Sequence, residues 1–302
     1  MPTAAEIRVG PAGWSYDDWA GIVYPAARPR DFHEACYLAD YFDTIELNVT
    51  FYRPATPEMA RSWLARVAHN PRFLFTAKLW QAFTHERELT PANEREFRPG
   101  MEVLLGAGKL GALLVQFPWS FKNLPESREY LEKLAARFRD FPLVVEVRHG
   151  SWNRPAFYEW LAERGLGFCN IDQPVIGRSL GPSERTTAPV GYVRLHGRNY
   201  EEWFSDRENS TGAERYNYLY SMEELEPWAE RIQKVAETAR LTFVITNNHF
   251  HGKAVTNALQ LIHRLTGRPV RVPPPLLRHY PELEPIASRE GTTPSLFSPL
   301  GP

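Results

Sequence analysis

Thr44-Ile45-Glu46-Leu47-Asn48-Val49 is the stretch from which the architecture is read. Successive side chains of a strand point to opposite faces. Ile45 and Leu47 therefore share an aliphatic face, and Glu46 and Asn48 a polar one. Val145-Glu146-Val147-Arg148 and Val193-Arg194-Leu195-His196 repeat the alternation. Strands that are aliphatic toward flanking helices and charged toward an interior suit a closed barrel with a site at one end.

Eight short apolar segments carry the pattern along the chain: Ile7–Trp14, Thr44–Tyr52, Arg72–Leu79, Gly111–Trp119, Pro142–Gly150, Gly167–Gln173, Gly191–Asn199 and Thr242–Phe250. Helix-like stretches separate them at Arg30–Phe42, Pro57–His69, Pro91–Leu105, Glu126–Phe138, Arg154–Arg164, Met222–Ala239 and Lys253–Leu265. Thr56-Pro57-Glu58 and Thr90-Pro91 supply a capping hydroxyl followed by a proline at the first helical position. Leu225, Trp228, Ala229, Ile232, Val235 and Ala236 follow the three-four spacing of a half-buried helix. Strand–helix alternation predicts a parallel sheet, and eight strands predict closure into a single (β/α)8 TIM-like barrel. Residues 1–268 form the barrel in this reading, and 269–302 a Pro-rich tail that wraps it in part. The tail is expected to contain neither regular helix nor central strand, with Leu276, Leu277 and Tyr280 docking. The sixth unit departs from the rhythm, because Pro174–Pro189 reads as a loop. A second long loop, Tyr200–Ser221, is polar and aromatic.

The chain has 302 residues and a formal net charge of -1, so its overall charge makes no case for nucleic acid or an anionic membrane. No apolar run approaches the ~20 residues of a membrane span. Cys36 and Cys169 are too sparse to staple a fold. Met1–Arg8 has no secretion signal, and a cytoplasmic location is expected.

Working residues of such barrels sit where strands exit to helices. The polar residues read there as inward-facing are Glu46, Asn48, Lys78, Gln116, Glu146, Arg148, Asn170, Asp172, Arg194 and His196. Strand eight ends in Thr246, Asn247, Asn248, His249 and His251, whose parity the polar run leaves open. Glu46, Glu146 and Asp172 balance Lys78, Arg148 and Arg194. That balance fits a structural salt-bridge plug, and it also fits a ligand site, because buried ion networks stabilise less than aliphatic packing. In the second case Glu46 and Glu146 move protons with His196. Asn48, Lys78, Arg148, Arg194, Asn248 and Asp172 would then bind the substrate. Trp14, Trp80, Trp119 and Trp152 follow strand ends, as do Phe51 and Tyr52; Trp14 and Trp152 are the candidates for stacking on a ring. A carboxylate–imidazole metal site could gather His249, His251 and His196 with Glu146 and Asp172. Arg148 and Arg194 in the same layer oppose a divalent ion, so no metal ligands are assigned. Dinucleotide, P-loop and nucleophile-elbow motifs are missing.

Val9-Gly10-Pro11-Ala12-Gly13-Trp14-Ser15-Tyr16 and Glu46-Leu47-Asn48-Val49-Thr50-Phe51-Tyr52-Arg53 resemble the domain of unknown function 72 family, the YecE-like proteins. So do Phe75–Lys78, Val145–Trp152, Tyr192–Gly197 and Asn247–His249. The resemblance spans residues 7 to 265 and implies a TIM-like barrel. It implies no settled reaction and no catalytic roles.

Three functional readings stay open. The first is an enzyme acting on a small polar or anionic substrate, with hydrolase chemistry as one option, no cofactor favoured and a divalent metal left open. The second is a metal-dependent phosphodiesterase or endonuclease-IV-like nuclease acting on nucleic acid. The third is a non-catalytic binding barrel. No membrane partner is expected.

Overall fold

The structure, a computed structural model, describes residues 6–200 and 214–288. Eight parallel strands follow the chain: β1 (Glu6–Pro11), β2 (Thr44–Leu47), β3 (Leu74–Lys78), β4 (Leu110–Gln116), β5 (Leu143–Glu146), β6 (Gly167–Asp172), β7 (Val190–Leu195) and β8 (Leu241–Thr246). They pair in the order β1-β8-β7-β6-β5-β4-β3-β2, which is a TIM barrel closed everywhere except between β1 and β2. There the strands meet only at their exit ends, through the Ala12–Glu46 bridge and the bond from the Gly13 N–H to the Glu46 carbonyl, 2.8 Å. Gly10 permits the approach: a Cβ on it would lie 2.0 Å from the Thr44 carbonyl oxygen.

Helices form the outer layer where the three-four spacing and the caps predict them. Thr56 and Thr90 accept from the Met59 and Asn93 amides, each with proline opening the helix behind it, Pro57–Arg66 and Pro91–Gly106. Ser221 and Glu224 form a reciprocal capping box at the start of Met222–Thr238. That helix buries Leu225, Trp228, Ile232 and Val235 against the sheet, as their spacing requires.

The sixth unit carries a loop in place of a helix, and β6 shows the consequence. Asn170 faces outward and holds that loop: its amide donates to the Arg185 carbonyl, 2.8 Å, and its Oδ1 accepts from the Ser183 hydroxyl and the Arg185 N–H. The expectation that Asn170 and Asp172 point inward is therefore corrected. Cys169 of β6 faces the interior instead, its thiol 3.8 Å from Glu146 Oε2. Loop backbone needs polar partners that a packed helix does not, and Asn170 supplies them.

The tail also differs from expectation. Pro274–His279 is a short helix opened by proline, and a 3-10 turn follows at Pro281–Ile286. Leu276, Tyr280 and Leu283 are buried, and the Tyr280 hydroxyl donates to the His251 carbonyl, 2.7 Å. Proline blocks helix interiors but suits a first turn, so a six-residue helix escapes the rule. Most of the loop at Tyr200–Ser221 lies outside the described residues.

Among the described residues no helix is long and apolar enough to cross a membrane.

Candidate active site

Inside the barrel the charged layer condenses on Arg194 of β7. One terminal nitrogen donates to Glu46 Oε1 at 2.7 Å and the other to Glu146 Oε2 at 2.6 Å. Gln116 Oε1 accepts from the same guanidinium at 3.1 Å. Below, the Tyr192 hydroxyl bridges Glu46 Oε2 and Thr76. Above, Arg148 donates to Glu146 Oε1, 3.0 Å, and His196 Nε2 lies 3.3 Å from the same oxygen. Glu46, Glu146, Arg194 and His196 have no solvent exposure.

Burial alone would raise the Glu146 carboxyl. Arg194, His196 and Arg148 more than offset it and hold the group well below the usual carboxylate range. Burial also lowers Arg194, but Glu46 and Glu146 outweigh it and keep the guanidinium charged. His196 is pushed down to about 3, by burial first and by the two arginines, and is neutral. The Asn247 amide donates to its Nδ1, 3.0 Å, which leaves the ring proton on Nε2 for Glu146. The carboxylates, the amide and the imidazole of the layer are all paired, and Arg194 keeps only Nε without a partner among the described residues.

A cavity of about 490 Å³ opens over this layer, on the side of β8, β1, β2 and β3. That volume suits a small ligand. Its walls carry Trp14, Tyr16, Tyr52, Trp63 and Tyr216 among the aromatics, with Asn48, Lys78, Asn247, His249 and Arg53 as polar members. No carboxylate lines it among the described residues. Tyr16 is fixed by donating to the Ala12 carbonyl, 2.6 Å, and it stacks on His249 with centroids 4.3 Å apart. The Asn48 amide donates to the Tyr16 hydroxyl, 3.3 Å.

Among the described residues, three polar groups of these walls have no hydrogen-bond partner. Asn48 Oδ1 and His249 Nδ1 are buried without a hydrogen bond. Lys78 Nζ lies 5.3 Å from the centre of the Phe51 ring, and its amine makes no hydrogen bond or ion pair among the described residues. Burial, then the positive Arg194, lowers Lys78 to about 7. Burial lowers His249 to about 4. At neutral pH the cavity thus holds an amine near half-ionisation beside a neutral imidazole.

Other candidate residues stand elsewhere. Trp152 is turned outside the barrel by the Gly150–Trp152 turn, stacks near Phe121 and donates to the Phe121 carbonyl, 2.7 Å, so it does not reach the cavity. Asn248 faces the helix Lys253–Thr266, donating to Asn257 Oδ1 and the Tyr218 carbonyl. Asp172 is held by a two-point pair with Arg198, at 2.8 and 3.1 Å. The parity of strand eight is settled by Thr246, which donates outward to the Ala254 carbonyl, and by Asn247, which turns inward to His196. Asn247 and His249, whose parity the sequence leaves open, are therefore cavity residues, and so is Tyr16, which the sequence does not single out as a site residue. Extending strand parity by one residue past Thr246 would have found Asn247.

β8 ends before the histidines, and His251 adopts φ +50 in a tight turn, so His249 and His251 do not share a strand face. Among the described residues no three His, Cys, Asp or Glu side chains gather as metal donors. A second cavity, about 300 Å³, lies at the opposite end of the barrel beside Asp43, Asn70, Arg72 and Arg268. Its polar groups are satisfied by one another, Arg72 with Asp43 at 3.0 Å and Asn70 with Asp43 at 3.0 Å.

Comparison with known proteins adds relatives. The model of a family described as "Protein of unknown function DUF72" matches residues 8–280. UPF0759 protein YunF of Bacillus subtilis (strain 168) is 28% identical over 272 residues, which is 86% of this chain and 94% of that protein. The crystal structure of a DUF72 family protein from Thermotoga maritima MSB8 superposes with a TM-score of 0.74 at 34% identity, covering 86% of this chain and 99% of that one. A DUF72 family protein from Enterococcus faecalis V583 gives 0.74 at 26% identity, covering 86% and 95%.

Proposed function

This chain belongs to the DUF72 family, and we propose that its barrel mouth is the active site of an enzyme acting on a small polar or anionic molecule. The observation that carries the reading is the convergence of three unpartnered polar groups, Lys78 Nζ, Asn48 Oδ1 and His249 Nδ1, on one cavity. A buried polar group left unpaired costs about 1–3 kcal/mol. A ligand that pairs Asn48 Oδ1 and His249 Nδ1 recovers that cost on binding. Lys78 and Arg53, in a wall where no described residue is a carboxylate, favour an anion. Trp14 and Tyr52 offer flat apolar surface to the rest of the molecule.

Lys78 carries the acid–base role in this reading. An amine titrating near neutrality is matched to proton transfer at the working pH. Glu46, Glu146 and His196 act as positioning residues: each is committed to Arg194 or its neighbours and none touches the cavity's contents. The charges of Glu46 and Glu146 bear on Lys78 together with those of Arg194 and Arg148. The nuclease reading asks for a donor set that the described residues do not assemble.

A panel of small carboxylates, phosphates and neutral sugars, read by thermal shift and calorimetry, tests the proposal. Anionic compounds should raise the melting temperature of the wild type. Lys78→Met and Asn48→Ala should remove that response while melting as cooperatively as the wild type. Binding that survives both substitutions, or a preference for neutral sugars, would sink it.

A further inference from the structure

We propose that Lys78 forms an imine with a small aldehyde or ketone carrying an anionic group, an inference that rests on the mouth cavity being a substrate site. The chain has six lysines. Four commit their ammonium groups to oxygen acceptors: Lys109 to the Pro71 carbonyl, Lys133 to Glu129, Lys234 to Glu184 and Lys253 to Asn217. Lys122 is exposed beside Trp119. Of the six, Lys78 stands at a strand end, half-buried, in the wall of a cavity, against an aromatic ring and without an acceptor among the described residues. A cationic anchor asks for a counter-charge, and the described residues of the wall offer none. A nucleophilic amine asks for the opposite: desolvation, a neighbouring cation to suppress protonation, and open space in front of the nitrogen. Burial and Arg194 supply the first two, and the cavity supplies the third.

The step balances without a further reactant. The amine lone pair attacks the carbonyl carbon, and the carbonyl π pair moves to oxygen, which takes a proton. The resulting carbinolamine loses its hydroxyl as water while nitrogen loses its second proton and forms the C=N bond. Ketone or aldehyde plus amine thus gives imine plus water, with no change of oxidation state. The neutral His249 imidazole faces the same cavity with Nδ1 unpartnered, near enough for the Lys78 charge to bear on its own ionisation. It accepts the proton released by the attacking nitrogen and returns it to the departing hydroxyl. Arg53 and the polar edge of Asn48 are left for the anionic group.

The full chain incubated at pH 7 with glyoxylate and cyanoborohydride tests the proposal. Reduction of an imine would leave one carboxymethyl group, located by peptide mapping. Position 78 should be modified on the order of 100-fold faster than Lys133 or Lys234, because far more of its amine is neutral at that pH. The rate should reach half its maximum near pH 7. Lys78→Arg should lose the fast adduct and keep the slow ones. Modification of position 78 no faster than that of the exposed lysines overturns the imine. Acetic anhydride, run in parallel, separates the two proposals. Fast acetylation of Lys78 without an imine leaves the cavity as a substrate site with Lys78 in proton transfer only. A Lys78 inert to both reagents removes the imine and the accessible cavity together.

Discussion

The layer around Arg194 and the cavity above it are built on opposite terms. In the layer, Glu46, Glu146, Gln116, Tyr192, Thr76 and His196 are partnered by one another or by Arg194. In the cavity, Lys78, Asn48 and His249 each keep an atom unpaired. The same residue types thus serve two ends. Paired charge fixes geometry and leaves nothing for a ligand. Unpaired polarity lowers stability and gives a ligand something to satisfy. A charged barrel interior is for that reason a poor guide to catalysis until its pairing is known.

Arg194→Leu tests the division most severely. It strands two buried carboxylates, and loss of one partner from such a network costs about 3–5 kcal/mol. Urea unfolding should show that loss or a chain that no longer folds. A variant as stable as the wild type would mean that the layer is not a charge-paired unit. Asn170→Ala releases the loop that replaces the sixth helix and should cost about 1–3 kcal/mol. Limited proteolysis should then cut within Pro174–Pro189 at a rate the wild type does not show.

Acid should act on both regions through their histidines. His196 at about 3 and His249 at about 4 stay neutral in the folded chain while the unfolded chain takes up protons from about 6.5. Stability is therefore full above pH 6.5 and falls as pH drops toward 4, by up to ~1.4 kcal/mol per pH unit for each group. Glu146, held low, adds its own loss only below the ordinary carboxylate range. His196→Gln and His249→Gln should each flatten the slope between pH 6 and 4, measured by urea unfolding at fixed pH. If neither changes the slope, the two rings are not buried neutral.

Lys78→Met should not destabilise the fold at pH 7, because it removes an amine whose charged form burial and Arg194 disfavour. The folded amine releases its proton near 7 and the unfolded one near 10.5, so wild-type stability rises with pH across that window. The variant should lose the rise. A Lys78→Met chain destabilised as severely as Arg194→Leu would erase the distinction between the two regions.

The barrel was legible because β2, β5 and β7 each set aliphatic residues against charged ones, and Glu46, Glu146 and Arg194 do meet inside. The same rule misplaced Asn170 and Asp172, since it assumes that the outer face always meets an apolar helix. Where a loop or a polar helix face takes that place, the outer residue is polar too, as Asn170 and Asn248 are. Trp152 was misplaced for another reason: a three-residue turn swings it away from the mouth, and turns lie beyond the reach of strand parity. Pairing is the least legible property. Whether Lys78 has an acceptor depends on strands far apart in sequence.

The gap between β1 and β2 makes this barrel a split ring, and a split ring yields at the cut. Seven seams carry hydrogen-bonded registers, whereas the eighth is held by Ala12–Glu46 and the Gly13–Glu46 bond at its upper rim. Trp14 and Tyr16 stand on one bank of the cut and Asn48 on the other. Glu46, strapped to Arg194 across the interior, is the clasp that limits how far the banks can part. The recess thus sits over the arc of the hoop that has no hydrogen-bonded ladder among the described residues, between banks joined at the rim.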